Sequence, residues 1–352
     1  MRVRYSQTDK GKLVKQAEIY TAEEHGIRTE HIDRDALKII RRLRQSGHAA
    51  YVVGGAIRDL LVGRSPKDFD VSTDAPPGRI RRLFRNSRVI GRRFKLVHIF
   101  FGDKIIEVST FRARSSGGFN PVYGELEEDV HRRDFTANAL YYDPADESIL
   151  DFVGGLRDIQ KRRLNAVIPL EEIFAEDPVR MVRAIKYSVV GGLKPTKQLK
   201  RQIRKQSQLL EDCPTSRLTE ESLKILLSGK SQEIFSELLE YDLLQHFLPQ
   251  IARLLNDRDY SFYRDAFFER LGQLDEVKSS DEVTRPVALA YLLADFLFLV
   301  SQLGRMKRIP FKEAFTEAKH IIRPLTPPNA DIEAALVLLM RRKKKYREQG
   351  RL

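Results

Sequence analysis

Hydrophobic and polar positions early in the chain predict a strand, a tight turn, a short helix and a second strand. The first strand ends at Val53, and Gly54 and Gly55 then form a turn without bulky side chains. A short helix is expected to run to Leu61, and the second strand to begin near Phe69. This unit is the first candidate for a ligand site.

The second strand of the unit carries two carboxylates at alternate positions. Side chains alternate between the faces of a strand, so Asp68, Asp70 and Ser72 should share one face while Phe69 and Val71 enter the core. Like charges at this separation repel unless a cation lies between them, and hard carboxylate oxygens suit Mg²⁺. The pattern therefore predicts a Mg²⁺ site, with ordinary surface acids on an exposed strand as the alternative.

The glycine turn before this strand fits a phosphate group. Gly54 and Gly55 leave backbone N–H groups accessible at the start of a helix, where the helix dipole also favours an anion. Arg58 can reach the same phosphate groups. The Walker pattern G-x-x-x-x-G-K-[ST] is absent from the sequence. Together with the two carboxylates, the turn predicts a triphosphate cradle beside a metal.

Three further regions lie around this unit, and two of them have a helical period. Asp33 is expected to cap a helix over 34–45, whose buried positions are Ala36, Ile39, Ile40 and Leu43. Residues 1 to about 30 have no strong period and predict a flexible or lightly docked arm. A helix after residue 74 has outward arginines, which fit either a solvated face or RNA contact: Arg79, Arg81, Arg82 and Arg85.

A hairpin follows that helix. Strands are expected over 96–101 and 104–111, because Gly102-Asp103 favours a tight turn between them. The second strand carries one acid, Glu107. If this strand neighbours that of Asp70, Glu107 becomes a third carboxylate near the metal; otherwise it is a charge on an edge strand. The loop over 115–123 is rich in turn formers and is expected to be mobile.

The segment from Glu125 to Leu140 has an acidic start and a basic middle, as a helix dipole favours. Arg133 could bind phosphate or ribose oxygens, and Asp134 could accept a hydrogen bond from a ribose 2′-OH, with Asn138 one helical turn later. Ordinary surface ion pairs are the alternative. Downstream, the sequence DFVGGLRD at 151–158 echoes the first glycine turn but is followed by no D-x-D pair, so we interpret it as structural.

The second half of the chain predicts amphipathic helices. They are expected over 219–227, 232–241, 260–271, 286–303 and 311–322. Their recurring aromatic residues favour core packing over base stacking: Phe262, Phe267, Phe268, Phe296 and Phe298. The chain ends in a basic tail over 341–352, for which we favour non-specific RNA contact.

Composition narrows the class of protein. The 352 residues carry a formal net charge of +13, with a pI of about 9.7, which makes a polyanionic partner such as RNA, DNA or an anionic membrane surface plausible. The single cysteine, Cys213, cannot close an internal disulfide, which fits a reducing compartment. The longest apolar stretch is too short to span a bilayer. A cytoplasmic protein without a membrane partner is expected.

These motifs resemble a known family. G-G-x-x-R-D followed by D-x-D, and R-R-D-F-T-x-N-A-L over 132–140, are similar to the nucleotidyltransferases that include bacterial poly(A) polymerases and CCA-adding enzymes. The resemblance implies an α+β fold, in which a small mixed β-sheet head precedes an all-helical neck and body. It implies ATP as substrate, Mg²⁺ as cofactor and RNA 3′ ends as partners. It also assigns roles at the site: metal ligation to Asp68, Asp70 and Glu107, catalysis to these and Asp134, and nucleotide binding to Gly54, Gly55, Arg58, Arg133 and Asn138.

A later helix is implicated in choosing the base. Asp177 before Pro178 is a natural N-cap, yet Asp177 and Arg180 also offer an acceptor and a donor on one side of the helix. Adenine and cytosine match this pair, whereas guanine and uracil present the reverse pattern. The resemblance assigns the task to these positions and adds Arg183 and Lys186. Lys186 stands where the tRNA-maturing relatives usually have arginine, so a bidentate or stacking role there is in question.

The resemblance also distinguishes between the poly(A) polymerases and the CCA-adding enzymes of this family. IGRRFKLVHI over 90–99 and PTSRLTEESLKILLSG over 214–229 are similar to segments of bacterial poly(A) polymerases. Addition of AMP to RNA 3′ ends is therefore the first expectation, with a CCA-adding or A-adding tRNA enzyme, or a catalytically inert RNA-binding protein, as alternatives. The expected domains are an arm (1–32), a catalytic head (33–160), a nucleotide-recognising neck (161–216), an RNA-binding body (217–340) and the tail (341–352).

Overall fold

The computed structural model describes residues 2–7, 13–91, 95–113, 123–280, 283–301 and 310–348. The chain divides into two compact units, one formed by residues 1–170 with 191–196 and the other by 171–190 with 197–352. The first unit contains a large mixed β-sheet and the second is helical. The predicted α+β class, with a sheet head and a helical remainder, is confirmed.

Nine strands among the described residues form the sheet of the first unit: β1 Arg2–Gln7, β2 Leu13–Tyr20, β3 Ala50–Val53, β4 Asp70–Thr73, β5 Ser87–Ile90, β6 Leu96–Phe101, β7 Lys104–Thr110, β8 Leu140–Asp143 and β9 Ser148–Asp151. Their order in the sheet is β1-β2-β9-β8-β3-β4-β7-β6-β5. Strands β4 and β7 are parallel, and the other pairs are antiparallel. The short parallel strands β10 Arg163–Leu164 and β11 Lys194–Pro195 pair separately.

The helices of the first unit are α1 Ala22–His25, α2 Arg34–Gln45, α3 Gly55–Leu61, α4 Pro77–Leu83, α5 Leu126–His131 and α6 Gly155–Gln160. The predicted α2 is confirmed, since Asp33 Oδ1 accepts from the backbone N–H of Asp35 at 2.8 Å and of Ala36 at 3.1 Å. Its four predicted apolar positions are buried. The predicted hairpin is also confirmed as β6 and β7.

Three expectations for the first unit are wrong. Residues 2–7 and 13–20 form regular strands of the sheet instead of the flexible or lightly docked arm that was expected, and β2 pairs with β9. The strand β4 begins at Asp70, so Asp68 lies before the strand rather than on it. The segment 125–140 is not one helix, because α5 ends at His131 and a 3-10 turn, Thr136–Asn138, precedes β8. The 115–123 loop, except Tyr123, and residues 92–94 lie outside the described part of the chain.

The second unit is built from helices around an apolar core. They are α7 Ile173–Glu176, α8 Val179–Gly191, α9 Lys197–Gln206, α10 Thr215–Leu226, α11 Ser231–Glu240, α12 Leu244–Phe247, α13 Pro249–Asn256, α14 Ser261–Ser280, α15 Arg285–Asp295, α16 Phe311–Ile321 and α17 Asn329–Glu348. The helices that were not predicted are α7, α9, α12, α13 and α17, and α17 extends into the expected tail. Phe267, Phe296 and Phe298 are buried as expected, whereas Phe262 is half exposed.

Across the described residues, no helix combines the length and the apolar character that crossing a bilayer requires.

Candidate active site

The predicted glycine turn lies between an acid and an arginine. Gly54 has φ +76°, a left-handed conformation that favours glycine, and it precedes α3. A Cβ atom placed on Gly54 would lie 3.8 Å from Asp70 Oδ2 and 3.9 Å from Arg133 Nη1. The structure therefore brings together three residues that the sequence places far apart. A ligand at this turn would be close to both a carboxylate and a guanidinium group.

The carboxylates lie on neighbouring parallel strands. The register pairs Val71 with Val108 and Ser72 with Ser109, and the two serine hydroxyls are 3.2 Å apart on one face. Continuing this register by one pair places Glu107 beside Asp70 on that face. The predicted neighbourhood of the two strands is therefore confirmed. Asp68, two residues earlier, is exposed.

The donor set fits a magnesium ion that is shared with a substrate. Within the described residues, no three His, Cys, Asp or Glu side chains are close enough to hold a metal ion by themselves. Mg²⁺ is usually held by one or two carboxylates, with water and substrate phosphate oxygens completing its shell. Asp70 supplies such a carboxylate next to the glycine turn. Glu107 lies 3.6 Å from His98 Nε2 through its Oε2 atom.

Arg58 supports the turn from inside the fold. Its side chain is buried, and its Nη1 donates to Asn138 Oδ1 at 2.7 Å while its Nη2 donates to Asp59 Oδ1 at 2.7 Å. Asn138 Nδ2 in turn donates to Asp134 Oδ1 at 3.3 Å. The three predicted site residues Arg58, Asn138 and Asp134 thus form one buried chain of hydrogen bonds. A Cβ on Gly55 would lie 3.4 Å from Arg58 Nη2, so the guanidinium lies against the turn.

Asp129 is a site residue that sequence reasoning missed. Its carboxylate is buried, and its Oδ2 accepts hydrogen bonds from Tyr141 Oη at 2.6 Å and from Arg133 Nη2 at 3.0 Å. Ser72 Oγ is 3.5 Å from the same oxygen. Asp129 Oδ1 accepts from Arg132 Nε at 3.0 Å. Asp129 therefore fixes Arg133 at the glycine turn and reaches the strand that carries Asp70.

The electrostatics of this cluster favour an ionised Asp129. Burial alone would raise its pKa, but Arg133 and Arg132 together hold the pKa of the carboxyl below its ordinary value. Burial raises the pKa of the Tyr141 hydroxyl, which therefore stays protonated and donates to Asp129. Burial and the nearby Arg132 lower the pKa of Arg112 to about 10. The only sequence signal for Asp129 was the acidic start of its segment, which was read as a helix preference.

The second glycine turn is structural, as predicted. Asp151, at the end of β9, accepts four backbone N–H groups, from Val153 at 3.1 Å, Gly154 at 2.8 Å, Gly155 at 3.0 Å and Leu156 at 3.0 Å. A Cβ on Gly155 would clash with a backbone carbonyl oxygen of the 3-10 turn. The acid therefore occupies the N–H groups that a phosphate would need, and the turn packs against the fold.

The expected base-reading residues lie in the second unit. Asp177 is buried, and its Oδ2 accepts from Arg217 Nη2 at 2.6 Å and lies 3.9 Å from Arg180 Nε. Among the described residues, the other oxygen, Asp177 Oδ1, is buried without a hydrogen-bond partner. Arg180 Nη1 donates to the Ile173 carbonyl at 3.1 Å and also pairs with Glu176. The structure thus contains an ion pair along the helix, between Arg180 and Glu176, together with an unsatisfied acceptor.

The two later basic residues of this helix differ in environment. Arg183 donates through Nη2 to the Tyr187 hydroxyl at 3.0 Å. Lys186 is buried and pairs with the buried Glu221, and its Nζ lies 4.8 Å from the centre of the Tyr187 ring. Lys186 is therefore a buried ion-pair residue in this structure.

Comparison with known proteins gives consistent matches. A family model described as "Poly A polymerase head domain" matches residues 50–165, and "Probable RNA and SrmB- binding site of polymerase A" matches residues 192–255. Poly(A) polymerase I of Salmonella typhi is 36% identical over 318 residues, covering 85% of this chain and 68% of the relative. Poly(A) polymerase I of Escherichia coli O6:H1 is 40% identical over 258 residues, covering 69% of this chain and 56% of the relative.

Among solved structures, the Bacillus stearothermophilus CCA-adding enzyme in complex with CTP is similar with a TM-score of 0.58 and 25% identity. The match covers 89% of this chain and 82% of that chain. The complex of a CCA-adding enzyme with ATP has a TM-score of 0.61 at 20% identity and shares the fold.

Proposed function

Because the chain belongs to the poly(A) polymerase family, we propose that it transfers AMP from ATP to the 3′ end of RNA without a template and releases pyrophosphate. The observation that carries this proposal is the meeting of the Gly54 turn, Asp70 and Arg133. These groups offer backbone donors, a metal-binding carboxylate and a fixed cation to one triphosphate. We place the activity in the cytoplasm, where the buried thiol of Cys213 stays reduced.

In this proposal, backbone groups and side chains of the chain position the triphosphate, the ribose and the metal ion. Backbone N–H groups at the start of α3 hold phosphate oxygens, and Arg133 offsets their charge from the other side of the turn. Asp134, held by Asn138, accepts a hydrogen bond from the ribose. Asp68, Asp70 and Glu107 are proposed to hold Mg²⁺ together with phosphate oxygens of the substrate, which complete its shell. When bound there, Mg²⁺ would neutralise triphosphate charge and lower the pKa of the attacking 3′-OH.

Base choice is assigned to Asp177 and Arg180. The unsatisfied Asp177 Oδ1 supports this, because a buried acceptor without a donor costs about 1–3 kcal/mol and is rarely left so without a reason. An exocyclic amine of adenine or cytosine would donate to it, while Arg180 donates to the neighbouring ring nitrogen. Arg183 is proposed to support the base from the next turn of α8. Lys186 is proposed to act through its pair with Glu221, which holds α10 against this helix.

The proposal is tested by offering labelled ATP or CTP to an unstructured RNA and to a tRNA that lacks its 3′ end. We expect AMP addition to the unstructured RNA and little CTP use on either RNA. Efficient CTP addition to the trimmed tRNA would instead establish a CCA-adding enzyme. Absence of any transfer in the presence of Mg²⁺, with RNA still bound, would leave an RNA-binding protein without catalytic activity.

A further inference from the structure

The strands at one edge of the sheet present an exposed apolar pair. Phe100 on β6 is 37% exposed and Ile105 on β7 is 45% exposed, and the register places them directly opposite each other. Their sequence neighbours on the other face, Ile99 and Ile106, are almost fully buried. The exposed pair therefore belongs to an open face of the sheet, whereas the opposite face is packed.

The same open face carries a polar row that leads from the catalytic carboxylates to the sheet edge. Arg88 on β5 is paired with His98 on β6, and His98 is paired with Glu107 on β7. Glu107 lies beside Asp70 on β4, as argued above from the serine pair. Because cross-strand partners share a face, Asp70, Glu107, His98 and Arg88 form one row. Phe100 adjoins it, with its ring 6.5 Å from that of His98.

The position of this polar row determines the side from which an RNA 3′-OH can reach the carboxylates. Asp70 is paired on its other side with Val53, the residue that precedes the glycine turn. The carboxylates thus lie between β3, which leads into the glycine turn, on one side and the strands β6 and β5, which carry the exposed residues, on the other. In phosphoryl transfer the attacking and leaving oxygens are roughly in line. An RNA 3′-OH that arrives across the open face would approach from the side opposite to the leaving pyrophosphate.

Size and charge indicate which occupant this face accepts. Neighbouring strands are about 4.8 Å apart, so the row from Asp70 to Arg88 is about 14 Å long. Two exposed apolar side chains are too small an area for a stable protein interface. They do fit a nucleobase, since exposed aromatic side chains on sheet faces stack with bases in RNA-binding domains. Arg88, which is exposed at the edge strand, complements a phosphate.

We propose that Arg88, His98, Phe100 and Ile105 form a primer platform that binds the 3′-terminal nucleotides of the RNA. Phe100 stacks on a base, Ile105 extends the apolar contact, and Arg88 binds a backbone phosphate. The platform thereby presents the 3′-OH to the carboxylates. This inference rests on the proposed function and names a subsite for its RNA substrate.

The test uses the full-length protein and an RNA oligonucleotide with 2-aminopurine near its 3′ end. The fluorescence of this base is quenched when it stacks, so binding to the wild-type protein without ATP should lower it. Phe100→Ala should abolish the additional quenching and weaken RNA binding by about 5- to 150-fold, the range expected for one stacked base. Phe100→Tyr, which keeps a ring, should restore both. The KM for ATP should not change.

A matched control is Phe311→Ala, because Phe311 is 42% exposed but lies in the second unit. This variant should bind RNA as the wild type does. Arg88→Gln should reduce the slope of log K against log salt by about 0.7, the value for one phosphate contact to a single strand. Thermal unfolding of each variant checks that the fold is retained.

The outcomes separate the two proposals. Unchanged quenching and RNA affinity in Phe100→Ala, with normal AMP transfer, would overturn the platform and leave the polymerase function standing. Quenching that depends on Phe100 in a protein that transfers no AMP would support the platform and overturn the function.

Discussion

Replacing Asp129 by asparagine should disable the site while leaving its acids and glycines in place. Asp129 is 3% exposed and accepts from Arg133, Arg132 and Tyr141. Asparagine has the same shape, but it removes the negative charge and presents an amide N–H₂ group to some of these donors. The two arginines would then lack the buried partner that fixes them.

The expected loss of stability follows from the burial of the pair. Removing one partner of a buried ion pair costs about 3–5 kcal/mol. The side chains of Arg133 and Arg132 are 19% and 29% exposed, so water compensates in part and we expect about 3 kcal/mol, the lower end of that range. Tyr141→Phe, which removes one hydrogen bond to a charged group, should cost about 1.5–3 kcal/mol.

The expected loss of activity is larger than the stability change alone would produce. Arg133 Nη1 lies 3.9 Å from the Cβ position of Gly54, where we place the triphosphate. A misplacement of about 1 Å in such a group can lower the rate by about 100-fold. We therefore expect kcat/KM for ATP in AMP incorporation to fall by about this factor, measured on folded protein at saturating RNA.

Asp295 provides a matched control for this experiment. It is 3% exposed and pairs with Arg270 at 3.0 Å in the second unit, and the side chain of Arg270 is 18% exposed. Asp295→Asn should lower the thermal stability of the protein without changing kcat/KM per folded molecule. An Asp129→Asn variant that unfolds like the control but retains wild-type kcat/KM would refute the positioning role of Asp129.

Three further predictions concern pH, the turn and RNA. The pKa of Asp129 is lower in the folded chain, so its contribution to stability is present above about pH 4, the ordinary value for Asp, and is lost as pH falls through the folded pKa. The free energy of unfolding should therefore rise more steeply with pH in the wild type than in Asp129→Asn between about pH 2 and 5, and equal slopes would count against the ion pair. Gly54→Ala should cost about 1–3 kcal/mol and lower ATP affinity, whereas Gly63→Ala, at φ +75° in open space, should affect stability alone; normal ATP affinity in the first variant would count against the cradle. Arg81 and Arg82 on α4 and Arg85 just after it are exposed, and all three can be replaced by Gln. If they contact single-stranded RNA, the slope of log K for RNA binding against log salt should become smaller in magnitude by about 2. An unchanged slope would identify them as a solvated face.

Local signals explain which elements the sequence could predict. Helix α2 was predicted with its cap and buried positions because a 3.6-residue period and an N-cap both lie within the helix itself. The β6–β7 hairpin was predicted because its turn residues determine it. The carboxylate strand was predicted to begin near Phe69 and to include Asp68, whereas it begins at Asp70, two residues after Asp68.

Long-range pairing explains what the sequence could not predict. Strand β2 near the N-terminus pairs with β9, which lies more than 100 residues later, and the sequence pattern of β2 does not indicate that partner. Asp129 gains its role from Tyr141 on β8 and Ser72 on β4, which the fold alone brings to it. Arg58 was expected to reach phosphate groups, and its role in nucleotide binding stays a prediction; its hydrogen bond to the buried Asn138, 80 residues later, could not be predicted from the local pattern.

The carboxylate of Asp70 beside the glycine turn is the group on which the proposed reaction depends most directly. The decisive measurement is the rate at which Asp70→Asn incorporates labelled AMP into an RNA 3′ end in the presence of Mg²⁺, compared with the wild type at equal RNA occupancy. We predict a loss of transfer of at least about 1,000-fold with RNA binding and thermal stability retained, since a metal-binding charge is removed from the reacting centre. Transfer by Asp70→Asn at a rate near that of the wild type would contradict the assignment of this site.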